Sequence, residues 1–248
     1  MKGTRAQRQG MAASDATAIS PDGEHGAEGS LRSRKKARRR EEIRDHARRL
    51  FGERGVDATT MAEIAEAAGV SPPTVFNYFG NKDGILIAII AEGAQKARET
   101  SNVLEPRTDV TFLETVMTVF TDISVETMNI ASKRIWRYAN AAAMRHPTTG
   151  LAMSFRQVDD ALLDLITVIL SRYDLTLHSG ATGDPRAIAH LFYDVWTQTF
   201  HGFIRDAGMT VDAHCAELEA RFAPLCDMIF SPGFLARPEL VRSPNEQG

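Results

Sequence analysis

Apolar positions recur at intervals of three and four along most of the chain, the spacing of amphipathic helices, and no stretch alternates with the strand period of two. The first run places Ile43, Ala47, Leu50 and Phe51 on one face and predicts a helix from about Lys36 to Arg54, ended by Gly55. Thr60 with Glu63 is a capping box that opens a second helix, with Ile64, Ala65 and Ala68 as its apolar edge and Gly69 as terminator. Ser71 and Pro72 start a third at once, whose buried face is Val75 and Phe79. Asn81 caps a fourth, which carries Ile85, Leu86, Ile89 and Ile90 and runs to about Val103.

Pro106 and its neighbours from Glu105 to Asp109 interrupt the pattern. Leu113, Val116, Met117, Phe120, Ile123 and Thr127 mark the next helix. Ser132 caps another, with Ile135, Trp136, Ala139, Ala142 and Ala143, which stops at His146-Pro147. Leu151, Phe155, Val158, Leu162, Leu165, Ile166 and Ile169 trace a longer one. Tyr173 to Asp184, with Gly180 and Gly183, reads as a mobile loop. Asp184-Pro185 opens a helix to about Ala207, and Thr210 opens the last, which Pro224 should kink. The expected fold is therefore all-α, about nine helices, with a small N-terminal head and a larger bundle. Met1 to Ser30 has almost no large apolar residues, so a disordered arm is expected over 1–35. The head then covers 36–84, the bundle 85–230 and a loose tail 231–248.

The second and third helices are separated by a tight turn, and Ala65, Gly69 and Val75 have the spacing that lets them cross closely: a helix-turn-helix. The competing reading is two amphipathic helices in an ordinary core. Against it stands the outward face of the third helix, Pro73, Thr74, Phe76, Asn77 and Tyr78. Hydroxyls there suit phosphate oxygens, and an Asn suits an adenine edge.

Thr59-Thr60, the turn from Ala65 through Gly69, Val70 and Ser71, the run Thr74 to Phe79, and Lys82-Asp83 together resemble the DNA-binding domain of TetR-family transcriptional regulators. The resemblance covers about Glu41 to Ile90. It implies that Thr59, Thr60, Phe76, Tyr78 and Lys82 hold the DNA backbone, while Pro72, Pro73, Thr74 and Asn77 approach base edges, with Ser71 beside them. Two positions depart from the family's pattern: Phe76 replaces a common Tyr, and Gly84 sits in the first turn of a helix where a helix former is usual.

Charge sharpens this picture. Residues Leu31 to Gly84 carry 12 Lys and Arg against 8 Asp and Glu, net +4, whereas Ile85 onward carries 14 against 20, net −6. A basic module followed by an acidic remainder fits one end on DNA. Arg32 to Arg40 holds seven cations in nine residues. Alone it would be a solvated charge run; before a helix-turn-helix, Arg34, Lys35, Arg38 and Arg39 are expected to touch phosphates or a minor groove.

The longest apolar run, Ile85 to Ala91, has seven residues, too few to span a bilayer. Cys215 and Cys226 lie about 16 Å apart if one helix holds both, too far to pair. A cytoplasmic, reduced chain without a membrane partner is expected. No Gly-rich phosphate loop, Gly-x-Ser-x-Gly motif or paired-Cys zinc spacing occurs, so neither an enzyme nor a cofactor or metal site is expected. His190 and Asp194 are an i,i+4 pair, readable as a metal or acid–base pair or as a surface hydrogen bond.

The expected function is a homodimeric transcriptional regulator, a repressor released from a palindromic double-stranded operator by a small lipophilic ligand. Trp196, Phe200, Phe203, Leu218 and Phe222 are expected at the dimer interface, with a monomer core as the alternative. Met117, Phe120, Met128, Trp136, Arg137, Asn140 and Phe155 are expected to line the ligand pocket, with plain core as the alternative. A DNA-binding dimer without a ligand, and a binding module that no longer uses DNA, are the competing functions.

Overall fold

A computed structural model describes residues 22–101 and 106–241. Ten helices occur among them: α1 (Asp22–Arg54), α2 (Met61–Ala67), α3 (Pro72–Phe79), α4 (Lys82–Ser101), α5 (Phe112–Ile130), α6 (Lys133–Arg145), α7 (Gly150–Leu170), α8 (Pro185–Arg205), α9 (Val211–Ile229) and α10 (Pro232–Ala236). Only isolated bridges, and no strands, accompany them among the described residues. Glu41–Gly248 is one unit and Met1–Arg40 another.

The local signals act as expected at most helix starts. Thr60 and Thr111 each close a reciprocal capping box, with Glu63 and Glu114. Asp184 accepts from the Arg186 amide, and Thr210 from that of Ala213. Asn81 accepts from the Gly84 amide at 2.9 Å. Ser71 and Ser132 occupy N-cap positions without a side-chain cap bond.

Four expectations are corrected. Helix α1 starts at Asp22, not near Lys36, so the part of the expected arm from 22 to 35 is helical; 1–21 lies outside the described residues. That extension has no apolar face, which is why a periodicity argument misses it. Its three glycines, Gly23, Gly26 and Gly29, weigh against helix by propensity as well. The loop from Tyr173 to Asp184 is pinned rather than mobile. Tyr173 and Leu175 are buried, Leu177 bridges to Phe230, and the Tyr173 hydroxyl accepts from the Arg107 amide at 2.8 Å. The tail is not loose as far as 241. Phe234 of α10 packs on Phe112 and Phe230, and Asp174 N–H donates to Glu239 O at 2.8 Å; 242–248 lies outside the described residues. Finally, the buried face of α5 is rotated: Phe112, Val119 and Ser124 are buried, whereas Leu113, Met117 and Ile123 are half-buried.

In the bundle, α7 packs against α8 and α4, and α9 against α5 and α8. Phe120, Phe192 and Phe222 meet at ring distances of 4.8 to 6.3 Å in the centre. Each such ring, removed fully from water, contributes about 1.5–3 kcal/mol before entropy is counted. Trp196, Phe200, Phe203, Leu218 and Phe222 are all buried within the single chain. The assignment of these five to a dimer surface is therefore corrected: they are monomer core, because α8 and α9 turn their aromatic faces inward.

Two glycines mark close approaches. At Gly84 a Cβ would collide with the Phe79 carbonyl oxygen. That contact accounts for a glycine where a helix former is usual, since α3 and α4 turn too tightly to admit a side chain. At Gly93 a Cβ would stand 2.7 Å from Ile130 Cγ2, so α4 and α5 cross there almost backbone to side chain.

Candidate DNA interface and ligand cavity

The reading head is built on a short turn. Val70 N–H donates to Ala65 O at 2.9 Å and Gly69 has φ 63°, which carries the chain from α2 into α3. Val75 and Phe79 anchor α3, leaving Pro72, Pro73, Phe76 and Asn77 exposed and Thr74 and Tyr78 half-buried. Phe76 is 50 % exposed, a large apolar ring held on a polar face. The Thr74 and Ser71 hydroxyls pair at 2.9 Å, which fixes both at the start of the helix.

One expected phosphate contact is corrected, and a second side chain has a structural partner. Thr59 is fully buried, and its hydroxyl donates to Gly55 O at 2.8 Å; it closes the turn after α1 and has no surface to offer. The Lys82 ammonium donates to Val56 O at 2.7 Å and more weakly to Asp57 O at 3.4 Å. It clips the α1–α2 loop to the start of α4, so its first role is structural. Thr60 remains exposed, although its hydroxyl is engaged with Glu63 at 2.9 Å. Arg34, Lys35, Arg38 and Arg39 are exposed on the helical N-terminal extension.

Below the head, helices α4 to α8 line a half-open cavity of about 340 Å³. Trp136, Asn140 and Phe155 line it. Met117, Phe120, Met128 and Arg137 do not. Phe120 is core against Phe192 and Phe222. Arg137 donates to Ile204 O at 2.7 Å, bracing α6 on α8. The two methionines are half-buried elsewhere on α5. Sequence reasoning missed Ala94 of α4, Ile130 of α5, Asp159 of α7, and Tyr193, Trp196 and Phe200 of α8, all of which line the cavity. The signal was present for α8, whose aromatic stripe is the cavity wall; it was assigned to the wrong surface. Nothing in the spacing singles out Asp159, which faces Tyr193 only because α7 lies against α8.

The Tyr193 hydroxyl donates to Asp159 at 2.8 Å. Burial pushes the Asp159 carboxyl above its ordinary range, the Tyr193 bond only partly offsetting this, and burial likewise raises Tyr193. Behind the aromatic wall, Ser124 accepts from Trp196 Nε1 at 2.9 Å and donates to Phe120 O at 2.8 Å. It also meets His214 Nε2 at 3.1 Å, so the ring nitrogen must be the donor there. His214 is fully buried, stacked on Phe203 at 4.6 Å, with Nδ1 unpartnered. Burial lowers its pKa to about 4, against a smaller upward pull from Glu217. His190 and Asp194 are both exposed, and no hydrogen bond joins them.

Residues 43–89, which span the head and the start of α4, match the model for bacterial regulatory proteins of the tetR family. The reading head is a TetR-family domain. The HTH-type transcriptional regulator BetI of Rhizobium meliloti is 46 % identical over 61 residues, 25 % of this chain and 30 % of the relative. The HTH-type transcriptional repressor AcnR of Corynebacterium efficiens is 38 % identical over 61 residues, 25 % of this chain and 32 % of the relative. The chain thus aligns with about a third of the length of these curated TetR-like relatives. Solved structures extend the likeness in fold. A putative transcriptional regulator from Saccharomonospora viridis in complex with choline superimposes with TM-score 0.57 at 15 % identity, over 79 % of this chain and 99 % of that one. FadR from Bacillus subtilis in complex with stearoyl-CoA gives 0.53 at 20 % identity, over 72 % and 95 %. Over that part of the chain the fold is an N-terminal helix-turn-helix head on a helical bundle. No helix among the described residues is long and apolar enough to cross a membrane.

Proposed function

We propose that this chain is a ligand-responsive transcriptional regulator of the TetR type, a repressor that grips operator DNA through α3 and releases it when a small molecule fills the cavity. The observation that carries this reading is the course of α4. The helix begins beside α3 at Lys82, and Ala94 on the same helix is a wall of the cavity. At about 1.5 Å per residue it is a rod of about 30 Å, stiff enough to convert a small shift at the cavity into a displacement of the reading head. Neighbours of the same fold were solved with choline and with stearoyl-CoA, which supports a bundle that takes small molecules.

Asn77, Pro73 and Thr74 read bases in this proposal, and Tyr78, Thr60 and the basic N-terminal residues hold phosphates. Two copies are needed for adequate specificity, with reading helices about 34–36 Å apart on a palindromic site. The outer faces of α8 and α9 leave Leu191 48 % and Met228 69 % exposed, and these faces are proposed to pair. The test is a mobility-shift titration with DNA from upstream of the chain's own coding region, run with compounds that raise its melting temperature. By linkage, a compound that weakens operator binding by some factor must itself bind more weakly to the DNA complex by that factor. A compound that binds tightly and leaves operator affinity untouched refutes the release mechanism.

A further inference from the structure

We propose that the cavity selects an organic cation, an amine or ammonium on an apolar body, with Asp159 as its counter-ion. This rests on the cavity being the ligand site proposed above.

The wall is a continuous aromatic surface. Tyr193 lies 5.8 Å from Trp196, Trp196 stacks on Phe200 at 5.0 Å, and Trp136 stands edge-on to Phe200 at 5.9 Å. Both indole N–H groups are already used, Trp136 on Thr127 O and Trp196 on Ser124, each at 2.9 Å. What the rings offer a ligand is therefore π surface rather than donors, and electron-rich faces attract cations.

Charge points the same way. Asp122, Glu126 and Asp159 line the cavity, and no ion pair joins any of them to a Lys or Arg among the described residues. Burial raises the Asp122 carboxyl too, with Glu126 adding to the effect. Arg98, Arg156 and His201 line the cavity as well. Arg98 donates to Gln95 at 2.7 Å and Arg156 to Pro147 O at 3.0 Å, neither to a cavity carboxylate. His201 is held below its ordinary value, chiefly by burial and then by Arg205, so it is mostly neutral near pH 7. Asp159 is solvent-accessible beside the aromatic wall and has no ion-pair partner among the described residues, so an ammonium laid on that wall gains a charge partner there. A neutral group gains none, and a carboxylate is repelled.

The test uses three ligands of one shape on the full chain by isothermal titration: tryptamine as the cation, tryptophol as the neutral form and indole acetate as the anion. The amine is expected to bind about tenfold or more tightly than the alcohol, with the anion weakest. Asp159→Asn keeps an acceptor for Tyr193, and should remove most of the amine's advantage while leaving the alcohol's affinity unchanged. Equal affinity of amine and alcohol, or an amine preference that survives Asp159→Asn, overturns the cation assignment. In that event, release of operator by the alcohol would still uphold the cavity as the regulatory site. Binding of none of the three at millimolar concentration overturns both.

Discussion

Replacing Gly93 by Ala should mimic a bound ligand. The added Cβ would stand 2.7 Å from Ile130 Cγ2, 2.9 Å from Cγ1 and 3.2 Å from Cβ, against ordinary carbon contacts of about 3.5–4.0 Å. Because the clash reaches the root of the Ile130 side chain, a rotamer change cannot relieve it, and α4 must move off α5 by about 1 Å. The helix gains about 1 kcal/mol in propensity from Gly to Ala, while overpacking costs about 1–3 kcal/mol, so global stability should fall by no more than about 2 kcal/mol. Function should change more. Ala94 and Ile130 are both cavity walls, so the wedge opens the cavity from the side nearest the head. Operator affinity should drop about 5- to 150-fold, the range of a typical allosteric coupling. Fluorescence anisotropy on labelled operator gives the affinity, and thermal unfolding on the same sample separates it from misfolding. Adding Ile130→Ala removes the two shortest contacts, leaving only the 3.2 Å approach to Cβ, and should return affinity towards that of the native chain. Native affinity in Gly93→Ala, or no recovery in the double variant, would refute α4 displacement as the route of control.

Four further outcomes are expected. Asn77→Ala should cost about 1–3 kcal/mol on the operator and relax one position of specificity; Thr59→Val, which loses only the buried bond to Gly55, should cost about 1 kcal/mol of stability and leave operator affinity and its salt slope unchanged. Phe222→Ala should lower unfolding stability by about 3–5 kcal/mol, measured with denaturant, independently of protein concentration; a loss seen only at low concentration would return Phe222 to an interface. For His214, whose pKa falls from 6.5 to about 4 on folding, the unfolded chain binds more protons between those values. Stability is therefore full above pH 6.5 and falls by about 3 kcal/mol as pH drops towards 4. Comparing denaturant midpoints with those of His214→Gln checks this: the variant should lack that component of the pH dependence.

What was legible in the sequence follows from how local each determinant is. The capping box at Thr60, the Gly69 turn and the Pro72 and Pro185 starts act within four residues, and the helices they open begin as expected. The outward face of α3 was legible for the same reason, since Val75 and Phe79 fix which side points out. Burial of Thr59 was not, because it depends on how α1 ends. The aromatic stripe of α8 announces a buried face but not which one. Only the packing of α8 on α7 and α9 decides that Trp196 and Phe200 face a cavity rather than a second copy. The N-terminal part of α1 fails differently: a helix without an apolar stripe leaves no periodicity to read.

The head is tied to the bundle beside the cavity wall at two points. Arg44 pairs with Glu92 at 2.7 Å, two residues before Ala94, and Arg48 donates to Asn129 O at 3.1 Å, one residue before Ile130. A third tie, from Arg134 to Glu53 O at 2.6 Å, joins α6 to the end of α1. The Arg44–Glu92 pair is partly exposed, so it is worth about 0–1 kcal/mol. A guanidinium on a helix-terminal carbonyl is a charged hydrogen bond, worth up to about 1.5–3 kcal/mol in a sheltered site and less here, where Arg134 is exposed. If α4 alone moved the head, cutting the α6 tie would not alter how strongly Gly93→Ala weakens operator binding. If α1 must pivot between α4 and α6, the tie is the fulcrum, and Arg134→Met should shrink the effect of Gly93→Ala. The cycle of the two single variants and the double variant reads this directly as non-additivity in operator affinity, with no ligand required. Additive effects within about 0.5 kcal/mol would leave α4 as the sole lever.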